Sequence, residues 1–118
     1  MPEPELLETV KLSDGRSLSY ASFGDPAGKP VFYFHGFPGS RFEPQSNHEA
    51  YLKVGIRLLA LDRPGMGQSS RKSNRKLLDW PDDVVEVAKI LNLEKFSVLG
   101  VSGGGPYALA CALSLIHI

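Results

Sequence analysis

The stretch VLGVSGGGPY, residues 98–107, decides how the rest of the chain is interpreted. An apolar run ends there in one serine, which is followed by three glycines and a proline. Its centre, from Gly100 to Gly104, fits the pattern G-x-S-x-G, in which a serine lies on a sharp turn between a strand and a helix. So short a pattern also occurs by chance. The surrounding sequence therefore has to support it.

Composition excludes several classes of protein. The chain has 118 residues, 42% hydrophobic and 22% charged, which suits one globular domain or part of one. Its 13 basic and 13 acidic side chains cancel, so we expect no nucleic-acid partner. A single cysteine excludes an internal disulfide and fits a reducing compartment. The sequence begins without signal-peptide features, and no apolar run approaches the ~20 residues that span a bilayer. We expect a cytoplasmic chain without a membrane span.

Alternation and turn residues predict a hairpin followed by three buried strands. Two short alternating runs, residues 7–12 and 17–23, flank a turn and predict an N-terminal β-hairpin. The continuous apolar run Val31–Phe34, bounded by chain-breaking residues, predicts a strand that is buried on both faces. Ile56–Leu61, which ends before Asp62, and Phe96–Val101 are predicted as the second and third buried strands.

Helical patterns lie between and after these strands. A weak pattern covers residues 43–54, a clear one covers residues 79–93, and a helix of small residues begins at Ser102. In the clear helix we expect Asp79 to act as the cap and Pro81 to lie in the first turn. Asp82 and Asp83 are expected to favour the positive end of the helix dipole. The face expected to be buried consists of Val84, Val87, Ala88 and Leu91. This alternation predicts an α/β fold, a mostly parallel sheet with helices on both faces.

In this layout Ser102 lies where a buried strand turns directly into a helix. The turn strains the serine backbone and brings strand and helix so close that only small side chains fit two positions to either side, which explains Gly100 and Gly104. The same turn exposes the hydroxyl and directs the N–H of Gly103 towards any negative charge that forms nearby. The sequence therefore predicts Ser102 as a nucleophile and Gly103 as an oxyanion donor.

A second glycine-rich loop, HGFPG at residues 35–39, directly follows the first buried strand. Its glycines would let the N–H of Phe37 lie opposite that of Gly103, which would give an oxyanion two donors. His35 and Gly36 are interpreted as structural at this site. His35 is expected to hold the loop rather than to act as a base.

Each motif also has a simpler interpretation. SGGGPY could be a plain strand-to-helix turn or a phosphate-binding loop, although the Lys-Ser or Lys-Thr pair of a P-loop is missing. HGFPG could be only a turn. LDRPGMGQSS, residues 61–70, is interpreted as a structural turn with pocket-wall residues, and its Asp62 lies on the wrong strand for a catalytic acid. We expect His48 in solvent and Cys111 as a small buried hydrophobe.

Because HGFPGSR, LDRPGMGQSS and GVSGGG occur in this order and spacing, the chain resembles the serine branch of the α/β-hydrolase family. The resemblance runs from about Leu7 to Ala112 and covers the N-terminal half of that family's domain. It implies hydrolysis of an ester, amide or related acyl bond of a small-molecule substrate through an acyl-enzyme, with no cofactor or metal. Serine rather than aspartate at position 102 disfavours the dehalogenase and epoxide-hydrolase branches. The alternative is a non-catalytic, ligand-binding or receptor-like member of the same fold.

The resemblance also implies a catalytic acid and then a histidine after the serine. The residues after Ser102 include no Asp or Glu and one histidine, His117, which a helix would place roughly 20 Å away. We therefore expect residues 1–118 to be the N-terminal portion of a single domain, truncated after the helix that follows Ser102, with residues 113–118 as a non-native tail. Alone, this chain is expected to be inactive, because the acid and histidine are missing. It is also expected to be poorly soluble or molten, because its last strand would be an open edge.

Overall fold

Five strands form one sheet in the order β1-β2-β4-β3-β5. The computed structural model describes residues 2–115. The strands are β1 (Glu5–Lys11), β2 (Ser17–Gly24), β3 (Lys29–Phe34), β4 (Ile56–Leu61) and β5 (Ser97–Gly100), and the helices are α1 (His48–Lys53), α2 (Trp80–Ile90) and α3 (Gly105–Leu115). None of the helices in this range is both long and apolar enough to cross a membrane.

The sheet combines the predicted N-terminal hairpin with the predicted parallel strands. β1 and β2 form the antiparallel hairpin, and β2 also pairs antiparallel with β4. β3 lies between β4 and β5 and is parallel to both. Because the carboxyl ends of parallel strands lie at the same edge of a sheet, the loops that follow Phe34, Leu61 and Gly100 come together there. That edge is where the predicted site residues lie.

Helices cover both faces of the sheet, which confirms the predicted architecture. Side chains alternate along each strand between the two faces. Phe32, Phe34 and Leu61 belong to the larger cluster, which includes residues of α2 and α3. Tyr33 and Leu58 point to the other face and belong to the cluster that Tyr51 of α1 joins. Strands covered on both sides need apolar residues at every position, which explains the unalternating runs.

The helix predicted over residues 79–93 is present as α2, but it is shorter and begins differently. It ends at Ile90, with Asn92 in the left-handed region at φ 58°. Asp79 occupies the position before the helix without a capping hydrogen bond. Its carboxylate instead accepts the N–H of Lys76, because a turn of 3₁₀ helix (Leu77–Asp79) precedes α2. The expected buried face is confirmed, with Val84 fully buried and Leu91 packed against the same cluster.

The hairpin turn is bound to α2 through polar contacts that the sequence did not predict. Arg16 donates to both carboxylate oxygens of the buried Asp83, at 3.0 and 2.6 Å. The backbone N–H and the hydroxyl of Ser13 both donate to Glu86. Asp83 was expected only to favour the helix dipole. It also anchors the hairpin, since a two-pronged guanidinium–carboxylate pair fixes both partners in orientation.

β5 is shorter and less buried than expected. The run Phe96–Val101 was predicted to be buried, but the strand covers Ser97–Gly100 and the Leu99 side chain is 40% exposed. β5 pairs with β3 on one side and is the last strand of the sheet within the described residues. A strand with this sequence is fully covered only between two neighbours. Its apolar run therefore forms an edge in residues 2–115.

Candidate active site

Ser102 lies on the sharp turn between β5 and α3. Its φ is +51°, in the left-handed region that residues other than glycine seldom adopt. Val101 before it is still extended, with φ −116° and ψ 128°. A non-glycine residue in such a conformation costs about 1–3 kcal/mol, which surrounding contacts must offset. The strand, turn and helix predicted around Ser102 are present, and its side chain is exposed.

Gly100 and Gly104 lie where the strand and the helix touch. A Cβ on Gly100 would overlap the carbonyl oxygen of Gly104. A Cβ on Gly104 would overlap the carbonyl oxygen of Phe34, and it would lie 2.8 Å from that of His35. Because these neighbours are backbone atoms, they cannot rotate away as a side chain would. Both positions therefore require glycine, as the sequence predicted.

The structure brings the loop of residues 35–39 against the Ser102 turn. A Cβ built on Gly103 would lie 3.1 Å from the backbone nitrogen of Phe37. One built on Gly36 would lie 3.4 Å from the Cβ of Ser102. Within residues 2–115, the N–H groups of Phe37 and Gly103 have no hydrogen-bond partner. Two backbone donors without a partner in this range therefore lie at the Ser102 turn.

His35 is fully buried beneath this loop, and both of its ring nitrogens are occupied. Nε2 lies 3.2 Å from the backbone nitrogen of Arg63, so it accepts that N–H. Nδ1 lies 2.8 Å from the carbonyl oxygen of Gly36 and must carry the proton that it donates. Burial is the main cause of a His35 pKa below the usual 6.5, and the Arg63 charge lowers the pKa further. His35 holds two loops together as a neutral ring.

We expect this buried ring to make the fold sensitive to acid. Below pH 6.5 the unfolded chain binds a proton at His35 that the folded chain excludes, so the free energy of unfolding falls until the pH reaches the lower pKa of the folded state. Above pH 6.5 the full contribution is present. Urea titrations of the wild type and His35→Gln, at about pH 7.5 and about pH 5, measure how much His35 contributes to the change in the free energy of unfolding with pH. Parallel loss of stability in both proteins would contradict the neutral ring.

Glu43 was not singled out in the sequence, yet it fixes the other side of the same loop. Its carboxylate accepts the N–H of Gly36, at 3.1 and 3.2 Å, and the hydroxyl of Tyr33, at 2.7 Å. Burial, followed by that contact with Glu43, raises the pKa of Tyr33. The phenol therefore stays protonated and donates to the carboxylate. Glu43 is the acidic side chain that contacts the loop beside Ser102.

Asp62, like Glu43, makes several polar contacts that the sequence did not predict. It is fully buried and accepts the backbone N–H of Arg41 at 2.6 Å and the Ser19 hydroxyl at 2.6 Å. It also forms an ion pair with the Arg41 guanidinium at 2.9 Å. The structural role predicted for residues 61–70 is therefore more specific than a turn. Asp62 connects the loop after β4 with β2 and with the segment that follows residues 35–39.

Replacing Asp62 with asparagine is expected to destabilise the fold by about 3–5 kcal/mol, because the buried Arg41 cation would lose its counter-charge. Denaturant unfolding of the variant and the wild type measures the difference. The matched control is Asp14→Asn, which removes an exposed partner of Arg16 and should change stability little. Equal stability of the Asp62 variant and the control would show that the ion pair is not what holds these loops.

Neither described histidine is placed to take a proton from Ser102. His48, which was expected in solvent, is only partly exposed: its Nδ1 accepts the Gly24 N–H at 2.8 Å and its Nε2 contacts the Pro2 carbonyl oxygen. The third histidine, His117, lies outside the described residues, as does half of the predicted tail, residues 116–118, whereas α3 continues to Leu115.

Two further expectations concern α3 and metal binding. Cys111 is buried as predicted, and burial raises the pKa of its thiol to about 12. Such a thiol stays protonated and is a poor metal ligand or nucleophile. Within residues 2–115, no three His, Cys, Asp or Glu side chains are grouped as a metal site.

Comparisons with known proteins agree with this geometry. The family model of the alpha/beta hydrolase fold matches residues 29–115. Over 98 residues the chain is 34% identical to a non-heme chloroperoxidase of Streptomyces lividans, covering 82% of this chain and 36% of the relative. It is 30% identical over 115 residues to a proline iminopeptidase of Arabidopsis thaliana, covering 95% and 30%. A hydrolase structure from Pseudomonas aeruginosa matches with a TM-score of 0.82 and 27% identity, over 92% of this chain and 41% of that one.

A parallel sheet edge with a serine on a strand-to-helix turn, together with a family match over most of the chain, defines the class. The chain belongs to the α/β-hydrolase fold family. It spans about a third of the length of the two curated relatives, 36% and 30%. Its five strands correspond to the N-terminal portion of that fold.

Proposed function

We propose that Ser102 is the nucleophile of a serine-dependent hydrolase that cleaves an ester, amide or related acyl bond. The observation that carries this proposal is the left-handed Ser102, exposed beside the two unpartnered N–H groups of Gly103 and Phe37. Strained residues of this kind cluster at active sites. Two convergent backbone donors suit the oxyanion that acyl transfer creates.

The chemistry follows from these positions. The Ser102 oxygen attacks the carbonyl carbon of the substrate and loses its proton to a general base, and the carbonyl oxygen becomes an oxyanion. The N–H groups of Gly103 and Phe37 donate to that oxygen. The bond to the leaving group then breaks, and the leaving group receives the proton from the base. Water repeats the sequence on the acyl-enzyme, which releases the acid and restores the serine hydroxyl.

We propose that the base and its carboxylate partner come from outside the described residues. Both ring nitrogens of His35 and of His48 are engaged with backbone groups other than those of Ser102. Glu43 lies near the site, but its oxygens accept from Tyr33 and Gly36. In this fold the acid and the histidine follow the serine in chain order.

The substrate class is proposed only as far as the acyl bond. The two relatives described above carry the names chloroperoxidase and iminopeptidase, which imply different substrates. A serine that forms an acyl-enzyme is compatible with esters and amides alike. A small-molecule acyl substrate is the part of the proposal that Ser102 and its two donors support.

Labelling tests the proposal directly. The full-length protein is treated with a fluorophosphonate, and mass spectrometry locates the adduct. We expect the adduct on Ser102, none in Ser102→Ala, and undiminished labelling in Ser97→Ala, which removes an exposed serine of β5. The 118-residue chain alone should stay unlabelled and unable to hydrolyse p-nitrophenyl acetate, because a hydroxyl without a base is a weak nucleophile. A folded full-length protein that takes no label would instead favour a non-catalytic, ligand-binding member of the fold.

A further inference from the structure

Arg63 is a buried cation whose presence the proposed function leaves unexplained. The residue is only 4% exposed, and its Nε has no hydrogen-bond partner within residues 2–115. The ion pairs of this part of the chain involve Arg16 and Arg41 rather than Arg63. A buried charge without a counter-charge is costly, so its position calls for a reason beyond packing.

The contacts that Arg63 does make lead to the loop beside Ser102. Its Nη2 donates to the carbonyl oxygen of Gly36 at 3.2 Å. The centre of the guanidinium lies 4.4 Å from the centroid of the Tyr107 ring, so the cation stacks on that ring. Tyr107 is fixed in turn by a 3.3 Å contact between its hydroxyl and Arg75. The guanidinium is thus oriented by α3 and aimed at one carbonyl group.

That carbonyl group belongs to the same peptide unit as the N–H of Phe37. The Gly36–Phe37 bond is trans, and in a trans peptide the C=O and the N–H point in opposite directions. Arg63 Nη2 and His35 Nδ1 both bind the oxygen, at 3.2 and 2.8 Å. Holding the oxygen from one side therefore turns the Phe37 N–H to the other side, where Gly103 lies.

The preceding peptide unit is held as well. The Gly36 N–H donates to Glu43, so the two peptide units that meet at Gly36 are both fixed. Glycine has the freest backbone of all residues, and without these contacts the unit could rotate. Donation to a carbonyl oxygen also polarises the peptide and strengthens its N–H as a donor.

We propose that Arg63 is a positioning residue for the oxyanion site: it orients and polarises the Gly36–Phe37 peptide so that the Phe37 N–H faces the developing negative charge. This inference rests on the proposed function of Ser102. Arg63 itself does not touch the substrate. Its positive charge lies behind the peptide unit and favours the oxyanion through it, and that effect is strong because the guanidinium is shielded from water.

The kinetic test uses Arg63→Met and Arg63→Lys in the full-length protein, with Arg71→Met as the matched control. Arg71 is exposed on the same loop, and its Cγ lies beside Gly65, 3.3 Å from where a Cβ on that glycine would be. Loss of a single oxyanion donor typically lowers kcat by about 10²- to 10³-fold, so loss of its positioning is expected to lower kcat by roughly 10- to 100-fold in Arg63→Met, with KM unchanged. Arg63→Lys should recover part of the rate, and the control should match the wild type.

A spectroscopic measurement separates this inference from the proposed function. Within residues 1–118, Gly36–Phe37 is the one Gly-Phe pair. In the full-length protein, ¹³C-carbonyl glycine with ¹⁵N-phenylalanine selects the Gly-Phe amides, and the signal that is lost in Phe37→Leu is the one of Phe37. Its proton resonance should move upfield in Arg63→Met and stay in place in Arg71→Met. Hydrolysis that survives Ser102→Ala would overturn the proposed function, whereas the Phe37 resonance would still report on Arg63.

Two results would overturn the role of Arg63. One is an unchanged kcat together with an unchanged Phe37 resonance in folded Arg63→Met. The other is a raised KM at unchanged kcat, which would show that the guanidinium binds substrate instead. If Arg63→Met does not fold, Arg63→Lys decides by the same two readouts, since lysine keeps the charge but loses the planar stack on Tyr107.

Discussion

Ser102→Ala is expected to lower kcat for p-nitrophenyl acetate in the full-length protein by at least roughly 10⁴-fold, while KM stays nearly unchanged. The substitution removes the attacking oxygen but leaves the donors of Gly103 and Phe37 in place, so the substrate still binds. Alanine is close to serine in size, so it fits the same left-handed turn. The fold should therefore survive, which circular dichroism and the melting temperature would verify.

Ser97→Ala serves as the matched control because Ser97 is an exposed serine on β5, close to Ser102 in the chain. Its kinetics should equal those of the wild type. Ester hydrolysis that Ser102→Ala leaves unchanged would remove Ser102 from the mechanism. An equal loss in both variants would point to disruption of the strand rather than of the chemistry.

Gly104→Val is expected to prevent folding or to lower the melting temperature severely. The first side-chain carbon would overlap the Phe34 carbonyl oxygen, and a branched side chain would add further clashes. Relief requires α3 to move away from β3, which would open the cluster that holds Trp80 and Cys111. Overpacking of one methylene group already costs about 1–3 kcal/mol, and the atoms in question here are backbone.

The control for this prediction is Gly105→Val, the same substitution one residue later. A Cβ on Gly105 meets nothing within 4 Å, and its φ of −56° is ordinary for a helix. This variant should fold and bind the fluorophosphonate like the wild type. Wild-type activity and melting temperature in Gly104→Val would mean that the approach of helix and strand is described incorrectly.

Local patterns were sufficient for most of the fold, because burial on both faces leaves a direct mark in the sequence. Val31–Phe34 is an unbroken apolar run, Ile56–Leu61 is apolar except for Arg57, and the structure places both inside the sheet. The same type of run at Phe96–Val101 was expected to be equally buried and is not. An apolar run indicates that a strand is suited to a buried position, whereas its actual burial depends on which neighbouring strands and helices are present.

The candidate site also contains some residues that the sequence predicted and some that it did not. Ser102, Gly104 and the loop of residues 35–39 were predictable because each lies within one short motif whose geometry is local. Arg63 and Glu43 were not, since each contacts a backbone group outside its own local pattern, at Gly36, which lies 27 residues from Arg63 and seven from Glu43. Nothing in the residues next to Arg63 indicates that its guanidinium binds Gly36.

His48 and Asp79 show a related limit. Both were assigned from neighbouring residues, one as solvated and one as a cap. Each instead has a partner that the sequence did not suggest: the Gly24 N–H for His48 and the Lys76 N–H for Asp79. Polar side chains accept whichever donor the chain brings near, so residue type alone does not determine the partner.

Arg41 connects the N-terminal hairpin to the loops of the candidate site. While its Nη1 binds Asp62, its Nε donates to the carbonyl oxygen of Leu6 in β1, at 2.7 Å. The outermost strand, the buried carboxylate and the segment after residues 35–39 thus share one side chain. We expect these three parts to open and close as one cooperative unit, so that fraying of β1 exposes the amides around Phe37 to solvent exchange. Fraying of β1, a strand outside the candidate site, would in this way shorten the time for which the Phe37 N–H stays in position near Ser102.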